Sequence, residues 1–232
     1  MTGAPIRAAL FDLDGTILNT PPAIAEAMAS AVADVTGKTV PLARIKPLIG
    51  RPLAAICAAL ISQEERDPLT LAVVDAYRRR YRRDIVPNAS RLVFEGVTAG
   101  LAAIRAAGVP TAVVTSKDHT AAELILHAAG IHRLFAFIVG ANDVRAPKPD
   151  PEAGRRALSL LDVDNEHAVM IGDTADDVMM GHAIPVRTIG VTYGVAGRQA
   201  IEALSPTWVV SQFSEIADLI TSRTDSKSEV LL

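Results

Sequence analysis

The sequence predicts an α/β protein, with a parallel sheet flanked by helices and an all-helical unit inserted after the first strand. Short β-rich runs alternate with helical stretches from Phe94 onward, which is the pattern of parallel strands joined by crossover helices. Between Pro21 and Ser90 the sequence has helical periodicity and no convincing strand. The predicted division is therefore a core of residues 1–18 and 91–232 and a helical unit of residues 19–90.

The first strand is predicted at the apolar run Ala8–Phe11, which leads into Asp12, Asp14 and Gly15. Ligands of open parallel sheets bind beyond the carboxyl ends of the strands, so acids at this point are placed for chemistry. Because side chains alternate along a strand, Asp12 and Asp14 can share one side. An ordinary acidic turn explains the pair equally well, so the interpretation depends on partners elsewhere in the chain.

The inserted segment is predicted to form three helices. The first begins at Pro21 and ends at Gly37, the second covers residues 53–61, and the third covers about 69–84. The third helix is expected to turn four residues inward, namely Leu71, Val74, Tyr77 and Tyr81. Its basic run at residues 78–83 predicts a solvated helix face, in preference to a nucleic-acid contact.

The rest of the chain is predicted to alternate helices and strands. The expected strands cover residues 109–115, 136–139, 168–171, 186–191 and 207–210. The expected helices cover 97–107, 121–129, 151–161, a stretch ending near 182, 200–204 and 213–221. Residues 222–232 are expected to be frayed.

Two of the later junctions between a strand and the next element carry groups that suit an anion. Thr115 and Ser116 follow the second strand, where they can either bind an anion or cap the next helix. Lys148 lies between two prolines that restrict its backbone, so its ammonium group suits a phosphate or a cluster of carboxylates. A rigid connector with an exposed lysine has the same sequence, and the junction alone does not decide between them.

The fourth strand ends in a second group of acids. Asp173 follows the strand directly, and Asp177 lies one helical turn further on the same face. Acids at this point also stabilise a helix N-terminus, and we assign Asp176 to that role.

If these strands adjoin, four carboxylates converge at one edge of the sheet, those of Asp12, Asp14, Asp173 and Asp177. Two like charges about 4 Å apart repel by about 1 kcal/mol in water and about 4 kcal/mol at an effective dielectric of about 20. The cluster therefore needs positive charge, which Lys148 and a hard divalent cation can supply. All-oxygen ligands favour Mg²⁺ over zinc, and Mg²⁺ commonly joins carboxylates to a substrate phosphate. The sequence therefore predicts phosphoryl chemistry.

The bulk properties are those of a globular protein. The chain has 232 residues, 50% hydrophobic and 21% charged, and its net charge of −3 provides no basic field for general nucleic-acid binding. It has no apolar run of membrane-spanning length and no signal-like N-terminal segment, so we expect a cytoplasmic protein without a membrane partner. The single cysteine, Cys57, is expected to be a small buried hydrophobe.

Together these motifs resemble those of the haloacid dehalogenase superfamily, in its phosphoglycolate phosphatase-like branch with an α-helical cap. Residues 12–16, DLDGT, resemble the first motif, Thr115 with Ser116 the second, Lys148 in KPDP the third, and Gly172-Asp173-Thr174 with Asp177 the fourth. The helical segment is similar in position to the C1 cap, and Gly50 and Arg51 lie in a stretch similar to a cap segment that faces the active site. The resemblance covers nearly the whole chain and implies a Rossmann-like core.

The resemblance also implies a role for each acid. Asp12 would be the nucleophile that forms an aspartyl-phosphate, and Asp14 would be the general acid and base. Mg²⁺ would be bound by Asp12, the backbone carbonyl of Asp14 and Asp173. Asp177 would orient metal-bound water or Lys148.

The groups around the substrate follow from the same resemblance. Thr115, the Ser116 backbone and Lys148 would hold the phosphoryl oxygens. The cap, including Gly50 and Arg51, would recognise the leaving group. This predicts a Mg²⁺-dependent phosphatase of a small phosphorylated metabolite, such as phosphoglycolate or a sugar phosphate, acting as a monomer or homodimer.

Two alternatives stay open at this point. A phosphomutase on the same scaffold would need a second phosphate-binding cation in the cap, which Arg51 can supply. A receiver-like phospho-acceptor domain also uses clustered acids, a threonine and a lysine on a parallel sheet. That domain is normally much shorter than this chain and has no long helical insertion after its first strand.

Overall fold

The structure, a computed structural model, describes residues 4–224 and is organised around one six-stranded parallel sheet. The strands are β1 (Ala8–Phe11), β2 (Thr111–Val114), β3 (Phe137–Val139), β4 (Ala168–Gly172), β5 (Arg187–Val191) and β6 (Trp208–Val210). Their order in the sheet is β3-β2-β1-β4-β5-β6. The chain therefore reverses direction across the sheet between β1 and β4, which is where open α/β sheets form their ligand crevice. The predicted fold class is confirmed.

Helices cover the sheet and form the inserted segment. They are α1 (Pro21–Thr36), α2 (Leu42–Ile45), α3 (Leu53–Ile61), α4 (Pro68–Arg80), α5 (Val97–Ala106), α6 (His119–Ala128), α7 (Glu152–Leu161), α8 (Ala175–Ala183), α9 (Gly197–Glu202) and α10 (Phe213–Thr221). None of the helices within residues 4–224 has the length and apolar character that a bilayer crossing requires.

The central strand β1 is buried on both faces, which explains its unbroken apolar sequence. Phe11 packs on one face against Phe213 of α10, with ring centroids 5.9 Å apart. Leu10 points to the other face and belongs to a cluster with Met170 and Met180. Because helices cover both faces, a ligand can approach the sheet only at the ends of its strands, and the acids that follow β1 and β4 lie at the carboxyl ends.

The inserted segment is helical from Pro21 to Leu92, and its two connections to the sheet run side by side. Leu18 and Val93 form an isolated antiparallel bridge. The Asn19 backbone N–H donates to the Leu92 carbonyl at 2.7 Å, and the Phe94 N–H donates to the Ile17 carbonyl at 3.2 Å. The division into a core and a cap of residues 19–90 stays a prediction.

Some predicted elements differ from the structure. Helix α4 ends at Arg80 and is followed by a π-helical turn, Tyr81–Ile85, and a 3-10 segment, Val86–Leu92, in place of one helix to residue 84. Leu71 is half exposed, so its predicted inward position is wrong, whereas Val74, Tyr77 and Tyr81 are buried as expected. The short helix α2 was not predicted.

The remaining boundaries agree within a few residues. The second strand is shorter than expected, because only residues 111–114 pair with neighbours. Cys57 is buried, with its Sγ 3.7 Å from the Met28 Sδ, as predicted. The prediction of a frayed end concerns mainly residues 225–232, which lie outside the described residues.

Candidate active site

The acids of the first and fourth motifs meet because their strands are neighbours in register. Phe11 of β1 lies opposite Ile171 of β4, and the Asp12 backbone N–H donates to the Ile171 carbonyl at 2.9 Å. Asp173 follows the end of β4, one residue beyond Gly172. Both carboxylates are buried, so the edge of the sheet at the reversal point carries two acids with little access to water.

Lys148 supplies the positive charge of this cluster. Its Nζ donates to Asp12 Oδ1 and Asp177 Oδ1, at 2.6 Å each, and to the Val114 carbonyl at 3.1 Å. The lysine is 5% exposed. Burial alone would lower the pKa of Lys148, but the two carboxylates outweigh it and raise that pKa above its ordinary value. The lysine is therefore charged.

Three buried carboxylates lie close to this lysine, and two of them contact it. Asp12, Asp173 and Asp177 each have a carboxylate oxygen within 4.8 Å of the others. Burial raises the pKa of Asp12 well above its ordinary value, with added repulsion from Asp177 and Asp173 and an opposing effect of Lys148. Burial also raises the pKa of Asp173 to about 7, with Asp177 adding to the shift. Burial and mutual repulsion thus both disfavour the charged forms of Asp12 and Asp173.

Asp173 is held rigidly by the loops around it. Thr16 Oγ1 donates to its Oδ1 at 2.9 Å, and the Val195 backbone N–H donates to its Oδ2 at 2.7 Å. A Cβ at Gly15 would lie 2.3 Å from Asp173 Oδ2, and a Cβ at Gly194 would lie 2.3 Å from the same atom. The absence of side chains at these two glycines is what allows the loops to close on the carboxylate.

Asp14 lies apart from the three-acid cluster and contacts Lys117 and Thr20. Its Oδ2 lies 2.8 Å from Lys117 Nζ, and its Oδ1 accepts a 2.5 Å hydrogen bond from Thr20 Oγ1. Lys117 Nζ also lies 4.6 Å from the centre of the Tyr81 ring. Burial would lower the pKa of Lys117, but Asp14 and the nearby Tyr77 raise it above its ordinary value. The Asp14 carboxylate is therefore fixed by an ion pair and does not join the three-acid cluster.

Thr115 and Ser116 lie between β2 and α6, both nearly fully buried. The helix is capped by neither residue, because the Asp118 side chain accepts from the Thr120 N–H. The alternative interpretation of Ser116 as a helix cap is therefore wrong. The Ser116 Oγ has no hydrogen-bond partner among residues 4–224, which leaves a buried hydroxyl available to a bound molecule.

Asp177 performs two tasks in the structure. Besides accepting from Lys148, its Oδ2 accepts from the Thr174 N–H at 3.0 Å and from Thr174 Oγ1 at 2.6 Å, which closes a capping box at the start of α8. Asp176 lies in the first turn of α8, as predicted, but the capping hydrogen bonds are made by Asp177. Fixing Asp177 in this way also fixes the lysine that it binds.

A cavity of about 540 Å³ lies over these groups, between the strand ends and the helical segment. Its walls include Asp12, Asp14, Thr115 and Ser116 from the strand ends and Gly50 and Arg51 from the helical segment. A Cβ at Gly50 would lie 3.1 Å from Thr174 Cγ2, so the cap loop touches the loop that carries Asp173. Burial raises the pKa of Asp176, and the nearby positive charge of Arg51 opposes this shift.

Six of the nine predicted site residues line this cavity, and the other three, Lys148, Asp173 and Asp177, are buried beside Asp12. The catalytic, binding and metal roles of all nine stay predictions. The sequence interpretation did not assign Thr16, Thr20, Lys117 or Tyr81 to the site. Lys117 had a usable signal, because it directly follows Thr115 and Ser116 at the end of β2. Thr16 lies in the DLDGT motif, but the sequence does not show where its hydroxyl points, and Thr20 had no signal at all.

Comparisons with known proteins agree with this fold and identify the family of the chain. The model of the haloacid dehalogenase-like hydrolase family matches residues 9–191, and the chain belongs to that family. The protein named "Probable phosphatase IndB" of Dickeya dadantii is 36% identical over 207 residues, which cover 89% of this chain and 90% of the relative. A plasmid-encoded phosphoglycolate phosphatase of Cupriavidus necator is 34% identical over 219 residues and covers 94% of each chain.

The chain is therefore a phosphatase of this family, similar to phosphoglycolate phosphatases. A receiver-like signalling domain is ruled out by this family membership. Among solved structures, the β-phosphoglucomutase of Clostridium difficile superposes with a TM-score of 0.80 at 18% identity, covering 94% of this chain and 97% of that one. This likeness concerns the fold alone, so the fold by itself does not separate hydrolysis from mutase chemistry.

Proposed function

We propose that this phosphatase hydrolyses a small phosphomonoester in a Mg²⁺-dependent reaction that passes through an aspartyl-phosphate on Asp12. The observation that carries the proposal is the buried group of Asp12, Asp173 and Asp177 with Lys148, in which Asp12 lines a cavity. The three acids have one buried lysine between them, and burial, with repulsion from neighbouring acids, raises the pKa values of Asp12 and Asp173.

The donor set fits a hard divalent cation. All the available ligands are carboxylate or carbonyl oxygens, which Mg²⁺ prefers. Asp12, Asp173 and the backbone carbonyl of Asp14 would hold the ion, with Asp177 beside them. When bound, Mg²⁺ would offset the repulsion between the anionic nucleophile and the anionic phosphate and stabilise the charge that develops in the transition state.

The residues of the chain account for the covalent steps. An Asp12 oxygen forms a bond to phosphorus while the bond from phosphorus to the ester oxygen breaks. Asp14 donates its proton to the departing oxygen. In the second step Asp14 takes a proton from water as the water oxygen attacks phosphorus, which releases Asp12 and inorganic phosphate.

Lys117 and Thr20 place Asp14 for this exchange of protons. The Lys117 ammonium group and the Thr20 hydroxyl each contact one oxygen of the Asp14 carboxylate, and together they fix its position at the cavity wall.

The phosphoryl oxygens are bound by the groups at the end of β2 and by Lys148. Lys148 is fixed by three acceptors, so its position needs no reorganisation when charge shifts onto the phosphoryl oxygens. The buried, unpaired Ser116 hydroxyl and the Thr115 side chain complete this binding site.

A phosphomutase stays as the second candidate because Arg51 lines the cavity. In that reaction the phosphoryl group of Asp12 would pass to a second hydroxyl of a bound sugar phosphate in place of water. A mutase converts one phosphorylated isomer to another with little release of phosphate, so product analysis separates the two candidates.

The test is a phosphate-release screen over small phosphomonoesters with Mg²⁺, with excess EDTA, and after Mg²⁺ is restored. We expect activity only when Mg²⁺ is present. Asp12→Asn should lower kcat by about a thousandfold or more, because the nucleophile is lost. The matched control is Asp75→Asn, which changes an exposed acid on α4 and should keep full activity. Undiminished turnover by Asp12→Asn, or by the parent in EDTA, would contradict the proposal.

A further inference from the structure

The cap side of the cavity carries positive charge only. The charged side chains that line it from the helical segment are Arg51, Arg78 and Arg82, and no acid from this segment lines it. None of the three arginines makes an ion pair with another residue of the described chain. The strand ends already bind the phosphoryl group through Thr115, Ser116 and Lys148. The cap arginines are therefore free to bind a different part of the substrate.

The basic run itself divides into two sets. Arg78 and Arg82 lie one helical turn apart and line the cavity, with Tyr81 between them. All four of Arg78, Arg79, Arg82 and Arg83 are exposed, but Arg79 and Arg83 do not line the cavity, and Arg83 forms an ion pair with Asp84 at 2.7 Å. If the basic run served only to keep the helix face in water, nothing would explain why two of its arginines line the cavity and the others do not.

Tyr81 provides the second, independent observation. It is 4% exposed, lines the same cavity, and its hydroxyl has no hydrogen-bond partner among residues 4–224. Burial, with a contribution from nearby Asp14, raises the pKa of Tyr81, so the phenol is neutral and can donate. A buried donor without a partner costs about 1–3 kcal/mol, which a ligand oxygen would recover.

The position of Tyr81 relates this donor to the reaction. Lys117 Nζ lies 4.6 Å from the Tyr81 ring centre and 2.8 Å from Asp14 Oδ2. In the proposed reaction, Asp14 protonates the departing oxygen. Tyr81 therefore lies near the leaving group, close to that oxygen.

We propose that Tyr81, Arg78 and Arg82 form a leaving-group subsite that selects phosphomonoesters whose leaving group carries an anionic oxygen of its own. A carboxylate or a second phosphate meets this requirement, and a neutral polyol does not. The inference rests on the proposed function and adds to it the substrate class and the residues that recognise it.

The test compares matched esters that differ in the charge of the leaving group. For the carboxylate, 3-phosphoglycerate is compared with glycerol 3-phosphate. For the second phosphate, fructose 1,6-bisphosphate is compared with fructose 6-phosphate. The parent should prefer the anionic member of at least one pair in kcat/KM, and the pair that shows it identifies the anion. Equal rates within both pairs would overturn the subsite and leave the proposed hydrolysis intact.

Substitutions then assign the preference to residues. Arg78→Met and Arg82→Met should each lower the ratio of kcat/KM between the anionic and neutral ester about fivefold. Tyr81→Phe, which keeps the ring against Lys117, should lower it about tenfold. Arg79→Met is the matched control and should leave the ratio unchanged. A ratio that falls equally in Arg79→Met, or in none of the variants, would contradict the assignment.

A binding measurement separates this inference from the reaction itself. Calorimetry with Asp12→Asn should show tighter binding of the preferred anionic ester than of its neutral partner, and this difference should shrink when Arg78→Met is added. If no ester is hydrolysed but this pattern holds, the proposed function fails and the subsite stands. If the two esters bind equally, the subsite fails whatever the activity.

Discussion

Lys148 is the residue on which the charge balance of the site depends. It is buried and bound to two carboxylates, and the nearby Asp173 has no positive side chain of its own in hydrogen-bond range within residues 4–224. Removing one partner of a buried ion pair leaves an uncompensated charge, which is more destabilising than the loss of the attraction alone.

Lys148→Met should therefore destabilise the protein by about 3–5 kcal/mol in EDTA. Mg²⁺ should recover part of this loss, because a dication supplies positive charge to the same carboxylates. The measurement is urea unfolding with EDTA and with Mg²⁺. Lys38→Met, at an exposed lysine, is the control and should change little. A loss of stability that Mg²⁺ does not reduce would show that the acids do not share a cation site.

At the scale of residues, the sequence predicted Lys148 as the positive partner of the acid cluster but did not predict the partner of Asp14. Asp12, Lys148 and Asp173 follow strands or restricted loops, so their positions follow from topology. The pairing of Asp14 with Lys117 depends on side-chain direction in two loops, which no periodicity encodes. Tyr81 was correctly predicted to point inward, but its unpaired hydroxyl becomes evident only when its surroundings are known.

At the scale of elements, the loops that follow β1 and β5 determine where Asp173 points. Gly15 has a φ of +98°, a region that residues with side chains rarely adopt, and Gly194 leaves room for the Asp173 carboxylate. Tyr193 ties the two loops together, because its hydroxyl donates to the Thr16 carbonyl at 3.0 Å. The position of Asp173, which we propose as a metal ligand, is thus determined by two loops as well as by the acid itself.

Gly194→Ala should shift Asp173 and raise the Mg²⁺ concentration needed for half-maximal activity about tenfold. The cause is steric, since the new Cβ would lie 2.3 Å from the Asp173 carboxylate. Gly37→Ala is the control: it has a φ of +69° and open space around it, so it should lower stability by about 1 kcal/mol without changing the Mg²⁺ requirement. An unchanged Mg²⁺ requirement in Gly194→Ala would refute this role of the loop.

Elements with clear start and stop signals were predicted accurately, and irregular ones were not. Helix α1 ends at Gly37 in the left-handed region, as the sequence indicated. The segment after Arg80 changes to π and 3-10 turns, and Pro87 lacks the N–H that a continued helix would need. Thr70, two turns before Tyr77, takes the inner position on α4 that had been assigned to Leu71.

At the scale of the whole molecule, the acid cluster links folding to pH. The pKa of Asp173 rises from an ordinary 3.8 to about 7 on folding, mainly through burial, and that of Asp12 moves in the same direction. The folded protein therefore holds protons that the unfolded chain has lost. This contribution to stability is complete below pH 3.8 and is lost as the pH rises through about 7.

Without metal, we therefore expect the contribution of this cluster to the melting temperature to fall between pH 5 and pH 8. Mg²⁺ should raise the melting temperature more at pH 8 than at pH 5, since it binds the deprotonated acids. Thermal unfolding in EDTA and in Mg²⁺ across this range measures the difference. Asp173→Asn should reduce the difference between the Mg²⁺ effects on the melting temperature at pH 5 and pH 8. A Mg²⁺ effect that is the same at both pH values would contradict the coupling.

The side-by-side bridge of Leu18 and Val93 has a consequence for the modularity of the chain. The points where the polypeptide leaves the α/β core after β1 and returns to it before α5 are hydrogen-bonded neighbours, so a tight reverse turn would be enough to span them. The size of the segment between them therefore places no constraint on the strand order. The acids after β1 and β4 can remain in place while the helical segment changes separately.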